Sequence, residues 1–320
     1  SDSSRQKYVI TMTDGITNTR STNLCYVMRG SGINESLSST PLQVGEASAA
    51  SKYNPILGWV SVWSGSNTQL NNVDILNNTL GFAAGNSYQI WKWNGASWTM
   101  QIDLGSQNIY GIDIFNSTLG FAVGDGGKIV KYNGTGWSEY QDTGNDNFKD
   151  IKFANSTLAF AVGNAGKIFR WNGSNTNWYQ YQDVGNQNFN AIDMFSGING
   201  ITLGGYGDIY QWNGVTWSLQ QIVPYTMTDI DIYNSSLAYA TTDGGIIIRK
   251  IGSSPWSSGS YTGSGALRTI TIVNSTYGFA AGNAREGIVQ WNGQTWNKIY
   301  PGYAYQGNST TGLSCSDQDA

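Results

Sequence analysis

Asn108-Ile-Tyr-Gly-Ile-Asp-Ile-Phe-Asn-Ser-Thr-Leu-Gly-Phe-Ala-Val-Gly124 is followed directly by Asp125-Gly-Gly-Lys-Ile-Val-Lys-Tyr-Asn-Gly-Thr-Gly-Trp137. Five further segments of the chain have a similar sequence. The central apolar residue of the first run marks each copy: Ile75, Ile114, Phe153, Met194, Ile232 and Ile272. The copies are therefore spaced by 39, 39, 41, 38 and 40 residues. A regular period of this length indicates a repeated supersecondary unit rather than one irregular domain.

Each copy predicts four short strands. In the quoted copy they are Ile112–Phe115, Leu119–Val123, Lys128–Tyr132 and a fourth that starts at Trp137. Asn133-Gly134 is a strong hairpin signal, because both residues accept a positive φ. The apolar runs lack a 3.6-residue period, which is typical of strands buried on both faces. The sequence therefore predicts an all-β fold, a β-propeller of four-stranded blades.

The two ends of the chain do not match the repeat, and the number of blades depends on them. We expect an amino-terminal β arm at 1–40, a propeller at 41–303 and a carboxy-terminal tail at 304–320. Within 41–70, Gly58–Gly65 aligns with the third strand of a degenerate copy. This copy favours seven blades, and six blades with a free arm is the alternative. The clear repeats are 71–107, 108–146, 147–187, 188–225, 226–265 and 266–303.

Composition narrows the class of protein. Only 12% of the 320 residues are charged, whereas 13 Trp and 19 Tyr can bury a large core. The net charge of −4 argues against nucleic acids and anionic membranes as partners. No run of 18 apolar residues and no leader-like segment is present, so we expect a soluble mature form without a membrane span.

The two cysteines, Cys25 and Cys315, lie near opposite ends of the chain. A disulfide between them would join the two ends of a ring and would indicate an oxidising compartment. Two unpaired buried thiols are the alternative interpretation.

The hairpins after the third strand carry a motif of their own. It reads Trp93-Asn-Gly-Ala-Ser-Trp98, Tyr132-Asn-Gly-Thr-Gly-Trp137, Trp212-Asn-Gly-Val-Thr-Trp217 and Trp291-Asn-Gly-Gln-Thr-Trp296. Over about 230 residues the chain resembles the Asp-box (BNR-type) propellers, which include sialidases and photosystem II assembly factors. The resemblance implies the fold, while functions within such propellers vary widely. The Asp of the Asp-box is Asn here.

The residues do not support sialidase-like chemistry. That family grips a carboxylate with three arginines and uses a Tyr–Glu nucleophile pair with an acid Asp. Of the seven arginines here, only Arg268 lies near the start of an inner strand in a clear repeat. The absence of histidine also removes the commonest general base and most transition-metal sites. We therefore expect no enzyme activity, no cofactor and no metal site.

One position of the first strand is acidic in four repeats. It holds Asp74, Asp113, Asp193 and Asp231, while Lys152 and Thr271 occupy it in the other two. Such carboxylates near the channel could bind a hard cation. The favoured interpretation is that each one binds backbone of its own or the next blade.

A tryptophan recurs at the start of the fourth strand. The six are Trp98, Trp137, Trp178, Trp217, Trp256 and Trp296. Packing between blades is the favoured interpretation. If the rings were exposed they could stack on sugars, and the protein would be a lectin with repeated aromatic sites.

Nine Asn-x-Ser/Thr sequons are candidate glycosylation sites: Asn34, Asn77, Asn116, Asn133, Asn155, Asn172, Asn234, Asn274 and Asn308. Five fall in the turn between strands one and two, and two fall in the hairpin between strands three and four. Those turns lie on the same face of an up-and-down propeller, so seven glycans would cover one face. The alternative is that Asn-Ser-Thr and Asn-Gly-Thr are simply good turns.

These observations favour a non-enzymatic, extracellular glycoprotein at the cell surface. Its composition resembles archaeal surface and filament glycoproteins. We expect a structural or assembly subunit of a filament, coat or adhesin that contacts other copies of itself or surface proteins. The arm at 1–40 would add a strand to a neighbour. A lectin that binds glycans and an assembly factor like the photosystem II proteins are the alternatives.

Overall fold

The structure is a computed structural model that describes residues 25–29, 49–54, 58–64, 69–103, 105–173, 177–263, 265–282, 288–300 and 310–315. Apart from three short 3-10 turns, this part of the chain forms strands and the turns between them. Every sheet has four antiparallel strands. The predicted all-β propeller of four-stranded blades is therefore confirmed.

The strands before the repeats are β1 (Cys25–Arg29), β2 (Ala49–Asn54) and β3 (Gly58–Ser64). The first blade comprises β4 (Leu70–Asn77), β5 (Leu80–Gly85), β6 (Gln89–Trp93) and β7 (Trp98–Asp103). The second comprises β8 (Ile109–Asn116), β9 (Leu119–Gly124), β10 (Lys128–Tyr132) and β11 (Trp137–Asp142). The third comprises β12 (Phe148–Asn155), β13 (Leu158–Gly163), β14 (Lys167–Trp171) and β15 (Tyr179–Asp183).

The fourth blade comprises β16 (Phe189–Ser196), β17 (Asn199–Gly204), β18 (Asp208–Trp212) and β19 (Trp217–Ile222). The fifth comprises β20 (Met227–Asn234), β21 (Leu237–Thr242), β22 (Ile246–Ile251) and β23 (Ser257–Thr262). The sixth comprises β24 (Leu267–Asn274), β25 (Tyr277–Gly282), β26 (Ile288–Trp291) and β27 (Trp296–Tyr300). The last strand is β28 (Thr310–Cys315).

A further four-stranded sheet joins the two ends of the chain in the order β28-β1-β2-β3. Strand β28 contacts β24 on one side and β4 on the other. Strand β1, from the predicted arm, is the second strand of this sheet, and Gly58–Ser64 is its fourth strand rather than the predicted third. The six repeats form the six blades whose cores are described. The described cores therefore support the alternative of six blades and do not support the preference for seven. The side chains of the further sheet lie outside the described residues.

The register of this sheet places Cys25 opposite Cys315 on neighbouring strands. Directly opposed residues on antiparallel strands have the closest Cβ atoms in a sheet. The bond between the two sulfur atoms lies outside the described residues, so the disulfide stays a prediction. Tyr8–Met12 of the arm, Asn34 and Asn308 also lie outside them.

The hairpin between the third and fourth strands forms as the Asn-Gly motif predicts. Tyr132 pairs with Trp137, and Gly134 has a φ of +95°. The Oδ1 atom of Asn133 accepts hydrogen bonds from the backbone N–H groups of Thr135 at 3.0 Å and Gly136 at 3.1 Å. The side chain thus satisfies the donors that the turn leaves unpaired.

An aromatic residue of the second strand packs against the third and fourth strands of the next blade. The ring centroid of Phe121 lies 5.2 Å from those of both Trp171 and Trp178. Phe82, Phe160 and Tyr239 make the same contact with the blades that follow them. Aromatic pairs at this distance add about 0.5–1.5 kcal/mol to the burial of their area.

The fifth blade lacks one of these aromatic rings, and the fourth blade lacks the ring that would pack against it. Lys250 stands where other third strands end in an aromatic residue. The preceding blade carries Ile201 instead of a second-strand aromatic, and Ile201 lies in one core cluster with Trp256. A smaller residue in one blade therefore accompanies the loss of one ring in the next.

Glutamine side chains join the outer strands of neighbouring blades. Gln141 donates from Nε2 to the carbonyl of Trp178 at 2.8 Å and accepts from its backbone N–H at 2.7 Å. Gln182 and Gln221 bind the backbones of Trp217 and Trp256 in the same two-bond manner. These bonds join the second, third, fourth and fifth blades in series at the rim.

Candidate functional site

The first strands of the blades contact one another around the ring, and each leaves an unpaired sheet edge there. The four repeated aspartates lie at this edge. Each accepts a hydrogen bond through Oδ2 from a backbone N–H of the next first strand, at 2.6–2.7 Å. The bonds are Ile114 to Asp74, Phe153 to Asp113, Ile232 to Asp193 and Ile272 to Asp231. The side chains thus replace the strand partner that an edge lacks.

Lys152 occupies the acidic position in the third blade. Its Nζ atom lies 3.3 Å from Oδ1 of Asp113 and 3.6 Å from Oδ1 of Asp193, which belong to the two flanking blades. The lysine therefore places one positive charge between two mostly buried carboxylates. Its charge therefore compensates part of the cost of burying these two side chains.

Asp150 and Asp229 form a second acidic layer, two residues earlier in the first strands. Oδ2 of Asp150 accepts from the backbone N–H of Ile192, and Oδ2 of Asp229 accepts from that of Ile270, each at 2.8 Å. Each also accepts through Oδ1 from the residue that follows it, at 2.8 Å. These aspartates repeat the contact to the next blade at a second height in the ring.

Burial dominates the protonation of this second layer. It raises the pKa of the Asp229 carboxyl to about 7, although hydrogen bonds from Ile270 and Ile230 oppose the shift. Burial also raises the pKa of Asp150 well above its ordinary value, and the charge of Asp229 adds to this. Near neutral pH these two carboxyls therefore hold protons more tightly than a free side chain does.

A pH dependence of stability follows from these shifts. Between about pH 4 and pH 7 the folded protein keeps a proton on Asp229 that the unfolded chain releases, so acidification favours the folded state. The raised pKa of Asp150 acts in the same direction. The contribution of Asp229 is at most about 4 kcal/mol. We expect the stability of the wild type relative to Asp150→Asn/Asp229→Asn to rise as the pH falls from 8 to 4.5, measured by urea denaturation. Asn72 occupies this position in the first blade, so asparagine is compatible with the strand. A difference that is constant or falls on acidification would contradict the assignment.

A separate polar cluster lies where the second and third blades begin their first strands. The Nζ atom of Lys149 lies 3.8 Å from the ring centroid of Tyr110. The hydroxyl of Tyr110 donates to Oδ2 of Asp125 at 3.2 Å, and Asn108 donates to the same oxygen at 3.1 Å. Burial lowers the pKa of Lys149 and raises that of Tyr110. The cluster belongs to the face opposite the sequon-bearing turns.

The seven repeat-phase sequons lie on one face. Asn77, Asn116, Asn155, Asn234 and Asn274 are each the last residue of a first strand. Asn133 and Asn172 directly follow the third strands of their blades. Both kinds of turn lie at the same ends of antiparallel four-stranded sheets, so this sequon face agrees with the predicted placement.

Six of these sequons share one hydrogen-bonded turn. The Asn Oδ1 atom accepts from the Thr or Ser hydroxyl two residues later at 2.8–3.0 Å. It also accepts from the backbone N–H of that residue at 2.9–3.0 Å. The described residues give the six Nδ2 atoms no protein acceptor. The turn is therefore stable by itself and leaves free the nitrogen that a glycan would modify.

The other candidate residues take structural places. All six fourth-strand tryptophans are buried, with 2–8% of their surface exposed. Arg268 is exposed near the start of β24. Among the described residues, no group of three or more His, Cys, Asp or Glu side chains could hold a metal ion. In the same part of the chain, no helix is long and apolar enough to cross a membrane.

The sequence interpretation missed Asp150 and Asp229, and the alternation of strand residues could have found them. Asp150 precedes Lys152 by two residues and Asp229 precedes Asp231 by two, so each pair shares one side of its strand. It also missed that the fourth blade differs from the others. Ser196-Gly-Ile198 there replaces the sequon that the other five repeats carry in the turn between the first two strands. Its hairpin reads Asn213-Gly-Val215, where the second and third repeats have a sequon.

Solved structures with this geometry share little sequence with the chain. YCF48 bound to D1 peptide aligns with a TM-score of 0.61 at 13% identity, over 79% of this chain and 93% of that one. The WD40 propeller domain of Doa1 aligns at 0.63 and 11% identity, over 78% and 86%. YCF48 from Cyanidioschyzon merolae aligns at 0.60 and 12% identity, over 74% and 87%.

The chain has the β-propeller fold of these proteins. Identities this low show the shared fold alone, and they do not separate an Asp-box propeller from other kinds. No protein-family model matches the chain. No curated protein sequence matches it either.

Proposed function

We propose that the protein is a non-enzymatic, extracellular glycoprotein that serves as a structural or assembly subunit of a cell-surface filament, coat or adhesin. The observation that carries the proposal is the sequon face, with seven acceptor sequons at the same ends of the blades. Glycans there would cover one side of the ring and leave the opposite side for contacts with other copies or with surface proteins.

The geometry of the acidic residues supports a role without catalysis. A glycosidase needs two carboxylates in distinct environments with free oxygens near the substrate. Asp74, Asp113, Asp193 and Asp231 instead share one environment, and each has an oxygen bound to backbone of the next blade. We assign these side chains to ring stability.

The burial of the tryptophans bears on the lectin alternative. Stacking on a sugar requires an exposed aromatic face, and the six fourth-strand rings are covered by neighbouring blades. A lectin would have to use other residues. We further propose that the Asn-Gly hairpins are structural relatives of the Asp-box and that the chain belongs with surface glycoproteins of archaeal type.

The arm supplies the proposed contact between subunits. Its residues Tyr8–Met12 have the composition of a strand, and a strand can add to the sheet edge of a neighbour through main-chain hydrogen bonds. Such a contact is heterologous and builds an open filament unless its rotation closes a ring.

Glycan mapping and native mass on the protein from its own source test the proposal together. We expect occupied sequons mainly among the seven on the sequon face, and a native mass that rises with concentration for the full chain. Deletion of residues 1–20 should abolish the rise. Occupied sites mainly on the opposite face, or none at all, would contradict the glycoprotein assignment. A chain that stays monomeric at high concentration, or a truncated chain that assembles like the full one, would contradict the role of the arm.

A further inference from the structure

The fourth blade exposes apolar side chains on the sequon face. Phe195, Ile198 and Val215 are 40%, 71% and 72% exposed. Phe195 ends the first strand with Ser196, Ile198 lies in the following turn, and Val215 lies in the hairpin between the third and fourth strands. A side chain on Gly214 would contact Ile198, so the two turns touch. We name these three residues the apolar sector.

Other blades carry polar residues at the two most exposed positions of the sector, except for Ala96 of the first blade, which corresponds to Val215. Thr118 and Thr276 correspond to Ile198, while Thr135 and Gln294 correspond to Val215. The fourth blade is also the one repeat of the six without a sequon in the turn between its first two strands. In the fourth blade, apolar side chains therefore take the place of both the polar side chains and the glycan acceptor site that other blades carry.

The turns that carry the apolar sector are well anchored. Trp212 donates from Nε1 to the carbonyl of Gly197 at 2.8 Å, as Trp93 and Trp291 do in their own blades. The hydroxyl of Tyr181 in the third blade donates to the carbonyl of Val215. The apolar side chains thus stand on the same rigid framework as the polar ones elsewhere, and a loosened loop does not explain them.

The small area of the apolar sector determines whether a globular protein or a short tethered segment can bind there. Three side chains supply far less than the roughly 800 Å² per partner that a stable protein–protein interface buries. A short tethered segment needs little area, because a flexible linker holds it at an effective concentration on the order of millimolar. An extended segment of the same chain therefore fits the apolar sector better than a globular partner.

The amino-terminal segment meets the ring on this face. Strands β28 and β1 are the first and second strands of their sheet, so Cys25 lies where the other blades have their sequon turn. The preceding 24 residues include Tyr8-Val-Ile-Thr-Met12, which is apolar, followed by a polar stretch from Thr13 to Asn23. Cys25, where this segment joins the described sheet, thus lies on the same face as the apolar sector.

The polar stretch is long enough to cross that face. Twelve residues separate Met12 from Cys25 and span at most about 40 Å when extended. The six first strands and β28 lie about 10 Å apart and enclose a ring roughly 22 Å across. Each further strand of a blade adds about 5 Å to the distance from the centre of the ring. The apolar sector lies on the far side of the ring from Cys25, at about 30 Å by these dimensions.

We propose that Tyr8–Met12 docks on the apolar sector of its own chain. Exposed Ile198 and Val215 would be covered, and the polar stretch would cross the sequon face. The proposal concerns the monomeric, unglycosylated chain, in which Tyr8–Met12 has no neighbouring subunit to pair with. Docking within the chain and pairing with a neighbour are mutually exclusive uses of this segment.

Hydrogen–deuterium exchange on the full unglycosylated chain tests the docking. The test variant is Ile198→Thr/Val215→Gln, which copies the residues of the sixth blade. We expect the amides of Tyr8–Met12 to exchange at least tenfold faster in the variant, with unchanged protection in the strands of the blades. Gln294→Thr is the control, because it changes the matching hairpin of the sixth blade, and it should leave exchange in the segment unchanged.

The segment offers a reciprocal variant that leaves the described fold untouched. Ile10→Asp should raise exchange of its neighbours to the same degree and make the apolar sector bind more of a hydrophobic dye. Equal exchange rates in the wild type and both variants would overturn the proposal. Protection that grows with protein concentration would also overturn it and would assign the apolar sector to a second copy. A native mass that rises with concentration while protection stays constant would leave the docking supported and test assembly separately.

Discussion

Gly124→Ala is expected to lower the free energy of unfolding by about 3 kcal/mol. A Cβ atom at this position would lie 1.9 Å from the carbonyl oxygen of Asn108 and 2.8 Å from the Cα atom of Ile109. Both contacts are with backbone, so no side-chain rotation relieves them and the loop that leads into the first strand must move. Forced overpacking of this kind costs about 1–3 kcal/mol and occasionally more.

Gly136→Ala is the matched control in the same blade. A Cβ atom there meets nothing within 4 Å, and its φ is not in the left-handed region. Its midpoint in urea should lie close to that of the wild type, whereas Gly124→Ala should unfold at a clearly lower concentration. Gly85, Gly163 and Gly282 make the same close approach, so alanine there should have a similar effect. Equal stability of Gly124→Ala and Gly136→Ala would refute this account.

Asp113→Ala is expected to lower stability by about 3 kcal/mol. The substitution removes a charged acceptor from the backbone N–H of Phe153 and one of two carboxylates near Lys152. A buried donor left without a partner costs about 1–3 kcal/mol, and bonds to charged groups are worth about 1.5–3 kcal/mol. Asp243→Ala, at an exposed turn position, should change stability by less than about 0.5 kcal/mol.

A double-mutant cycle with Lys152→Met separates the two roles of Asp113. If the ion pair contributes, the loss in Asp113→Ala/Lys152→Met should be smaller than the sum of the single losses. Asp113→Asn should retain most of the stability, since its amide oxygen can still accept from Phe153. Additive losses together with no rescue by asparagine would contradict both the hydrogen bond from Phe153 and the ion pair with Lys152 as sources of stability.

The repeat period predicted most of the fold. Strands predicted at Leu119–Val123 and Lys128–Tyr132 match β9 and β10 to within one residue. The first strand begins at Ile109, three residues before the predicted start. The prediction was too short because Tyr110 and Gly111 interrupt the apolar run in the sequence. The Asn-Gly hairpins agree with prediction because their geometry depends on local residues alone.

Features that depend on neighbouring blades were less visible in the sequence. Asp150 and Asp229 occur at a position where other blades have Gly111, Ala191 or Asn72, so no repeated residue marks it. A side chain on Gly111 would lie 2.8 Å from the Cα atom of Asp150, so the adjacent blade leaves no room for one at that position. The pKa shifts arise from burial across the ring and need the assembled fold.

The pairing of β1 with β28 also constrains the order of events during synthesis. Strand β1 is synthesised before all six repeats, yet its neighbour on one side is β28, which is synthesised after them. Six blades can form from contiguous sequence as they emerge, while the sheet that joins the ends must wait for Thr310–Cys315. A chain interrupted before Thr310 would therefore carry folded blades with a sheet edge open at each side of the gap. The codons for Thr310–Cys315 thus decide whether the product is a closed ring or an aggregation-prone arc.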